Sequence, residues 1–224
     1  MDCSKGEAVV GQRTAAMDAE KRPNAETGTR KHILAVAEQL FADHGIDAVS
    51  LRQLGVATGQ AYKSVIQYYF GTKMDLADAI LMERSNDLNI KSEQLVKQAE
   101  ISGSVDDVKP LIACMFLPIA EIKNQSGRYV HAGFLLQYLT NPKFKHNYAE
   151  IGWTSGPRAE LAKKLGEFVP SLTPDQLACR FFMLHDIFVT ALVRRGIDGG
   201  IGSDSEEDGV LDELFAVMTA AFLA

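Results

Sequence analysis

The stretch Ser50–Lys73, SLRQLGVATGQAYKSVIQYYFGTK, constrains this 224-residue chain more than any other. Ser50 is placed to cap a short helix, and Gln53, three residues on, completes a capping box. Leu51, Leu54 and Ala57 share one face at helical spacing. Gly59 then supplies the left-handed conformation that a sharp turn needs. A second short helix follows over Ala61–Tyr68, with Tyr62, Lys63, Ser64 and Gln67 outward and Val65 and Tyr69 or Phe70 inward. Gly71-Thr72 ends the unit, and Thr72 with Asp75 makes another capping box. This order is a helix-turn-helix followed by the helix that leads out of it.

The rest of the chain supplies a support for that unit and a larger body. Residues 1–28 are rich in Ala, Gly, Thr, Glu and Lys without periodicity, and read as a flexible tail. Thr29 opens a helix whose stripe is Ile33, Ala37, Leu40 and Phe41, stopped at Gly45 with Ile46 behind it. A long helix runs from Thr72 to about Glu100. Further helices are expected over 104–123, with Pro118 bending or splitting it, over 128–140 up to Asn141-Pro142, and over 157–168. Thr173-Pro174-Asp175-Gln176 is a dense start signal for a helix reaching Arg195-Gly196. A loop, 196–209, precedes the last helix, Leu211–Leu223. No stretch alternates as a strand does, so the fold class is all-α: a three-helix helix-turn-helix head over 29–76 and a larger C-terminal helical domain over 77–224. The last two helices carry more apolar surface than a small bundle hides, which implies burial against a second copy.

Charge and cysteine content narrow the function classes. The net charge is −6, and residues 1–78 hold 9 Lys/Arg against 10 Asp/Glu. Any nucleic-acid contact therefore rests on a few placed donors, with acidic surface elsewhere. Cys3, Cys114 and Cys179 are odd in number and far apart, which suits a reduced cytoplasmic setting. The spacing offers no metal site and no cofactor motif. There is no signal pattern, and no apolar run of membrane-spanning length is expected. An enzyme is not expected either: no histidine follows a glutamate at Glu-x-x-His spacing, and no nucleophile triad or phosphate loop is present.

Residues 29–76 resemble the TetR-type family of bacterial transcriptional regulators. The pattern is Thr29-Arg30, Ile33-Leu34, Ala37, Leu40-Phe41, Gly45, Ser50, Leu54, Gly59, Tyr68, Phe70-Gly71-Thr72-Lys73 and Leu76. GQAYKSVIQYYFGTK is similar to the variant with one extra residue before the aromatic pair. Tyr69 stands where a histidine is usual, and Gly55 replaces an alanine. The resemblance implies a homodimer, joined through the last two helices, that binds a palindromic operator in double-stranded DNA. It also implies a repressor released when a small effector in the C-terminal domain moves the long helix.

On that reading the DNA-binding residues are Arg30, Ser50, Arg52, Gln60, Tyr62, Lys63, Ser64, Gln67, Tyr68, Thr72 and Lys73. Lys73 opens a helix where amides and a cation meet a phosphate, and Lys63 and Gln67 have the chemistry to read base edges. A hydrophobic or aromatic effector would be lined by Met115, Phe116, Ile119, His131, Phe134, Gln137, Tyr138, Trp153, Phe181 and His185. Apolar residues at this spacing make a dry core equally well. The competing reading is an adaptor of the same fold, with a degenerate head, controlled by a protein partner.

Overall fold

A computed structural model describes residues 28–59, 63–144, 156–197 and 204–224, with side chains for 28–59, 65–144, 156–196 and 208–224. The expected tail (beyond Gly28), Gln60, Tyr62, Trp153 and residues 198–203 of the loop before the last helix lie outside the described residues, as do the side chains of Lys63 and Ser64. The described residues form helices and no strand. Their order is α1 (28–44), α2 (Leu51–Ala57), α3 (Lys63–Phe70), α4 (Lys73–Ser102), α5 (Val108–Ala120), α6 (Val130–Thr140), α7 (Pro157–Gly166), α8 (Pro174–Ile197) and α9 (Asp204–Leu223).

The helix ends follow local chemistry. Ser50 Oγ accepts from the Gln53 amide at 3.2 Å while Gln53 Oε1 accepts from the Ser50 amide at 2.8 Å. Thr72 and Asp75 exchange the same pair of bonds at 3.1 and 2.9 Å, and Thr173 and Gln176 do so at 3.3 and 2.8 Å. Three helices begin on a reciprocal box that satisfies amides with no partner inside the helix.

Three boundaries differ from the sequence expectation. α5 starts at Val108 instead of Ser104, because Ser104 is used to close α4: its amide donates to the Ala99 carbonyl at 2.9 Å and its hydroxyl to the same oxygen at 3.3 Å. α5 ends at Ala120, two residues beyond Pro118, and a tight turn follows in which Asn124 Oδ1 accepts from the Ser126 and Arg128 amides at 3.0 Å each. The last helix begins at Asp204, so part of the expected acidic loop is helical.

α5 is the centre of the body. It packs against α4, α6, α7, α8 and α9, and α6 lies against α8. Phe116 of α5, Phe188 of α8 and Phe215 of α9 stack in series at 5.6 Å per step. Contrary to expectation, Pro174–Gly196 is long and apolar enough to cross a membrane, with a mean hydropathy of 1.4 in its best window. In this fold Phe181, Leu184, His185, Phe188, Val189 and Leu192 along its inner side are buried.

Candidate nucleic-acid interface

The head is built on α1, whose Ile33, Leu34, Ala37 and Phe41 are buried together with Ile46, Val49, Leu54, Ile66 and Phe70. α2 is turned slightly from the expected orientation. Leu54, Gly55 and Thr58 point inward, at steps of one, three and four, and Ala57 is exposed. The Thr58 hydroxyl donates to the Leu54 carbonyl at 2.8 Å, tying off the helix end, and Gly59 takes φ +68°, a conformation that penalises residues with a Cβ. α3 buries Ile66 and Phe70 and half-buries Val65 and Tyr69.

The face left outside is the one a duplex would meet. Arg52 and Gln67 are exposed, and Tyr68 and Val56 are 79% and 77% exposed. The Tyr68 ring meets the edge of Tyr69 at 5.3 Å, which steadies an otherwise solvated phenol. Against a duplex, Arg52 would offer a cation suited to phosphate, Gln67 a paired donor and acceptor suited to a base edge, and Tyr68 and Val56 apolar surface suited to backbone or a thymine methyl. Ser50 and Thr72 are consumed first as caps.

Lys73 and Arg30 have structural partners. The Lys73 ammonium donates to the Asp47 and Val49 carbonyls at 3.0 Å each, so it closes the α1–α2 loop from the first turn of α4. On a DNA-binding reading, its third N–H would be the one for a phosphate. The Arg30 guanidinium is 3.3 Å from Glu83 and lies over the Phe70 ring at 5.5 Å, so it fastens α1 to α4 and to the recognition helix.

A joint between head and body was not foreseen from the sequence. Glu38, on the inner side of α1, is 1% exposed. Its carboxylate accepts from Arg84 Nε of α4 at 2.9 and 3.0 Å and from a second Arg84 nitrogen, and it lies 2.8 Å from His131 Nδ1 of α6. Burial pushes the carboxyl upward, but His131 and Arg84 outweigh it and hold Glu38 below its ordinary range. Burial lowers His131, Glu38 opposes this in part, and the positive charges of Arg84 and Arg158 push the same way as burial. Glu38 is therefore an anion beside a neutral imidazole. The sequence signal was Glu38 standing four residues after Leu34, in line with the apolar stripe.

The described effector candidates fall into three groups. Phe134 stacks on Phe41 at 6.5 Å, the Tyr138 hydroxyl donates to Asp78 of α4 at 2.5 Å, and His131 meets Glu38, so these face the head. Gln137 reaches the α1 end, with Oε1 3.1 Å from where a Cβ on Gly45 would be. Met115, Phe116, Ile119 and His185 are fully buried, Phe116 lying 6.3 Å from His185. Phe181 lines a cleft of about 320 Å³ between α7 and α8, with Ala162, Lys163, Pro174, Leu177 and Phe182.

Comparison with known proteins agrees with this geometry. Residues 33–80 match the family model of bacterial regulatory proteins of the tetR family. No curated protein matches the chain. Among solved structures, a chain from Shewanella sp. PV-4 assigned to the tetR family of transcription regulators is similar at TM-score 0.61 and 14% identity, over 87% of this chain and 96% of that one. A second chain so assigned, from Mesorhizobium loti MAFF303099, gives TM-score 0.54 and 16% identity over 88% and 96%. The TetR family regulator PfmR from Thermus thermophilus gives 0.53 and 17% over 82% and 96%. Residues 33–80 thus match the head model of that family, and 82–88% of the chain shares the fold of these solved structures.

Proposed function

We propose that the chain is a sequence-specific transcriptional regulator that binds duplex DNA as a homodimer, most simply as a repressor that a small hydrophobic or aromatic molecule releases from a palindromic operator. The observation that carries this reading is the head: two short helices on either side of Gly59, the first capped by Ser50, with Arg52, Gln67 and Tyr68 on the open face. Lys63 and Ser64 open the recognition helix, at the end that enters a major groove first. Dimer formation is supported by the outer faces of α8 and α9, where Phe182, Met183, Ile187, Val217 and Leu223 are exposed. The apolar cleft at Phe181 supports an effector of hydrophobic character, with Lys163 at its rim.

The test is binding to DNA from the gene's own upstream region across a salt series. A dimer making about 6–10 phosphate contacts loses roughly 10³–10⁵ in affinity between 50 and 200 mM salt. The same fragment must also be preferred over a scrambled one. Flat salt dependence with no preference would instead favour an adaptor working through a protein partner.

A further inference from the structure

Helix α1 is held on both sides. α4 holds it through Arg30–Glu83 and Arg84–Glu38. α6 and the residues flanking it hold it along its other side. Asn124 Nδ2 donates to Gln39 at 3.2 Å and Arg128 pairs with Asp43 at 2.9 Å. Gly133 lets the backbones close in, since a Cβ there would sit 3.1 Å from the Ala42 methyl. Beyond the C-terminal end, Asn141 and Lys143 reach the Asp47 carboxylate at 3.1 Å each.

The centre of this clamp is the group Glu38, Arg84 and His131, one residue from each of α1, α4 and α6. A carboxylate only accepts, so the proton between Glu38 and His131 sits on Nδ1 of the imidazole. His131 Nε2 is enclosed and has no hydrogen-bond partner among the described residues. A buried ionic group of this kind is a poor source of net stability compared with packed apolar residues. It is demanding about geometry, however, because sliding any one helix leaves a charge buried without its partner. Interfaces built this way move between discrete arrangements more readily than they deform gradually.

We propose that Glu38, Arg84 and His131 form a latch that fixes the angle of the helix-turn-helix head on the C-terminal body. Its regulatory meaning rests on the reading of the head as a DNA reader, but its mechanics do not. His131 is a positioning residue here. Breaking its bond to Glu38 removes the buried tie of α1 to α6 and leaves the exposed ones, while Arg30 and Arg84 still hold α1 to α4, so the head gains a second orientation.

The test measures distance within one chain, without DNA. Nitroxides are placed at Val56→Cys and Ile101→Cys, both well exposed, in a background with the native cysteines replaced. Labelled chains are diluted with excess unlabelled protein to isolate the intrachain distance. The native latch gives one narrow distribution. His131→Phe keeps the ring against Phe134, Glu38→Gln keeps the volume, and each shifts or broadens the distribution by about 1–2 Å, the scale of helix displacement at a packed interface. Met218→Ala, a cavity in α9 away from the latch, leaves it narrow. If the two latch variants retain the native distribution, or if Met218→Ala broadens it as much, the proposal fails. Should either latch variant not fold, Asn141→Ala with Lys143→Ala loosens the surface end of the same clamp. That pair must then broaden the distribution, and an unchanged width overturns the proposal. Loss of upstream-DNA binding by the native protein would count against the regulator reading alone.

Discussion

Lys73 shows how one ammonium serves two purposes. Two of its donors hold the Asp47 and Val49 carbonyls, and charge-assisted bonds of this kind contribute about 1–3 kcal/mol when well formed. Lys73→Ala is therefore expected to lower the stability of the head by about 1 kcal/mol in urea titration, and to weaken binding to all DNA sequences alike. Gln67→Ala should leave stability unchanged and relax preference at particular base pairs, as measured against a set of operator variants. Equal loss on every sequence would remove Gln67 from base readout. Glu38 and His131 set a pH dependence with a definite sign. Both are lowered in the folded chain, from ordinary values of 4.5 and 6.5. As pH falls below about 6.5 the unfolded chain takes up a proton at His131 before the folded one does, and below about 4.5 the same holds for Glu38. Stability is complete above neutrality and falls in these two windows on acidification. In urea midpoints followed from pH 8 to pH 4, His131→Phe should shrink the upper window, to which buried His185 also contributes, and should weaken the lower one too, since His131 is the foremost influence holding Glu38 down.

At the scale of elements, the junction of α1 and α6 is a close approach between head and body. Gly133 sits near the start of α6 against Ala42. A larger residue there improves helix propensity by up to about 1 kcal/mol, yet it drives two backbones apart at a cost of typically 1–3 kcal/mol. Gly133→Leu is therefore expected to lower the urea midpoint, with the greatest loss of amide protection in α1 and α6. A gain in midpoint would show that the two helices are not in close contact in solution. This junction also marks where sequence reading stopped. The capping boxes at Ser50, Thr72 and Thr173, the turn at Gly59 and the helix stop at Gly45 were legible because each depends on residues within a few positions. The partner of Glu38 was not, since Arg84 and His131 lie 46 and 93 residues away. Ala57 was misplaced because a seven-residue helix offers too few apolar positions to fix its rotation. The aromatic residues of α5, α6 and α8 share one helical spacing whether they line a cavity or fill a core. Spacing therefore could not tell Phe181, at a cleft, from Phe116, packed between Phe188 and His185.

For the whole molecule, the outer sides of α8 and α9 decide the assembly. Leu184 is buried, whereas Met183 and Val217 face outward and are 59% and 49% exposed. Met183→Glu or Val217→Glu should convert a dimer to monomers by sedimentation while leaving helix content intact. Persistence of the dimer would move the interface elsewhere. The clamp on α1 has a consequence for the ruler such a dimer would lay on DNA. A head on a loose tether adjusts to different half-site spacings and loses entropy each time it docks. A head fastened to α4 through Arg30 and Arg84, to α6 through His131 and to the residues after α6 through Asp47, has little of that freedom to lose. It also has little slack with which to follow a half-site displaced by one inserted base pair, a step of about 3.4 Å along the duplex. Stiffness at Glu38 would thus be read out as intolerance of spacing, far from any base that Gln67 touches.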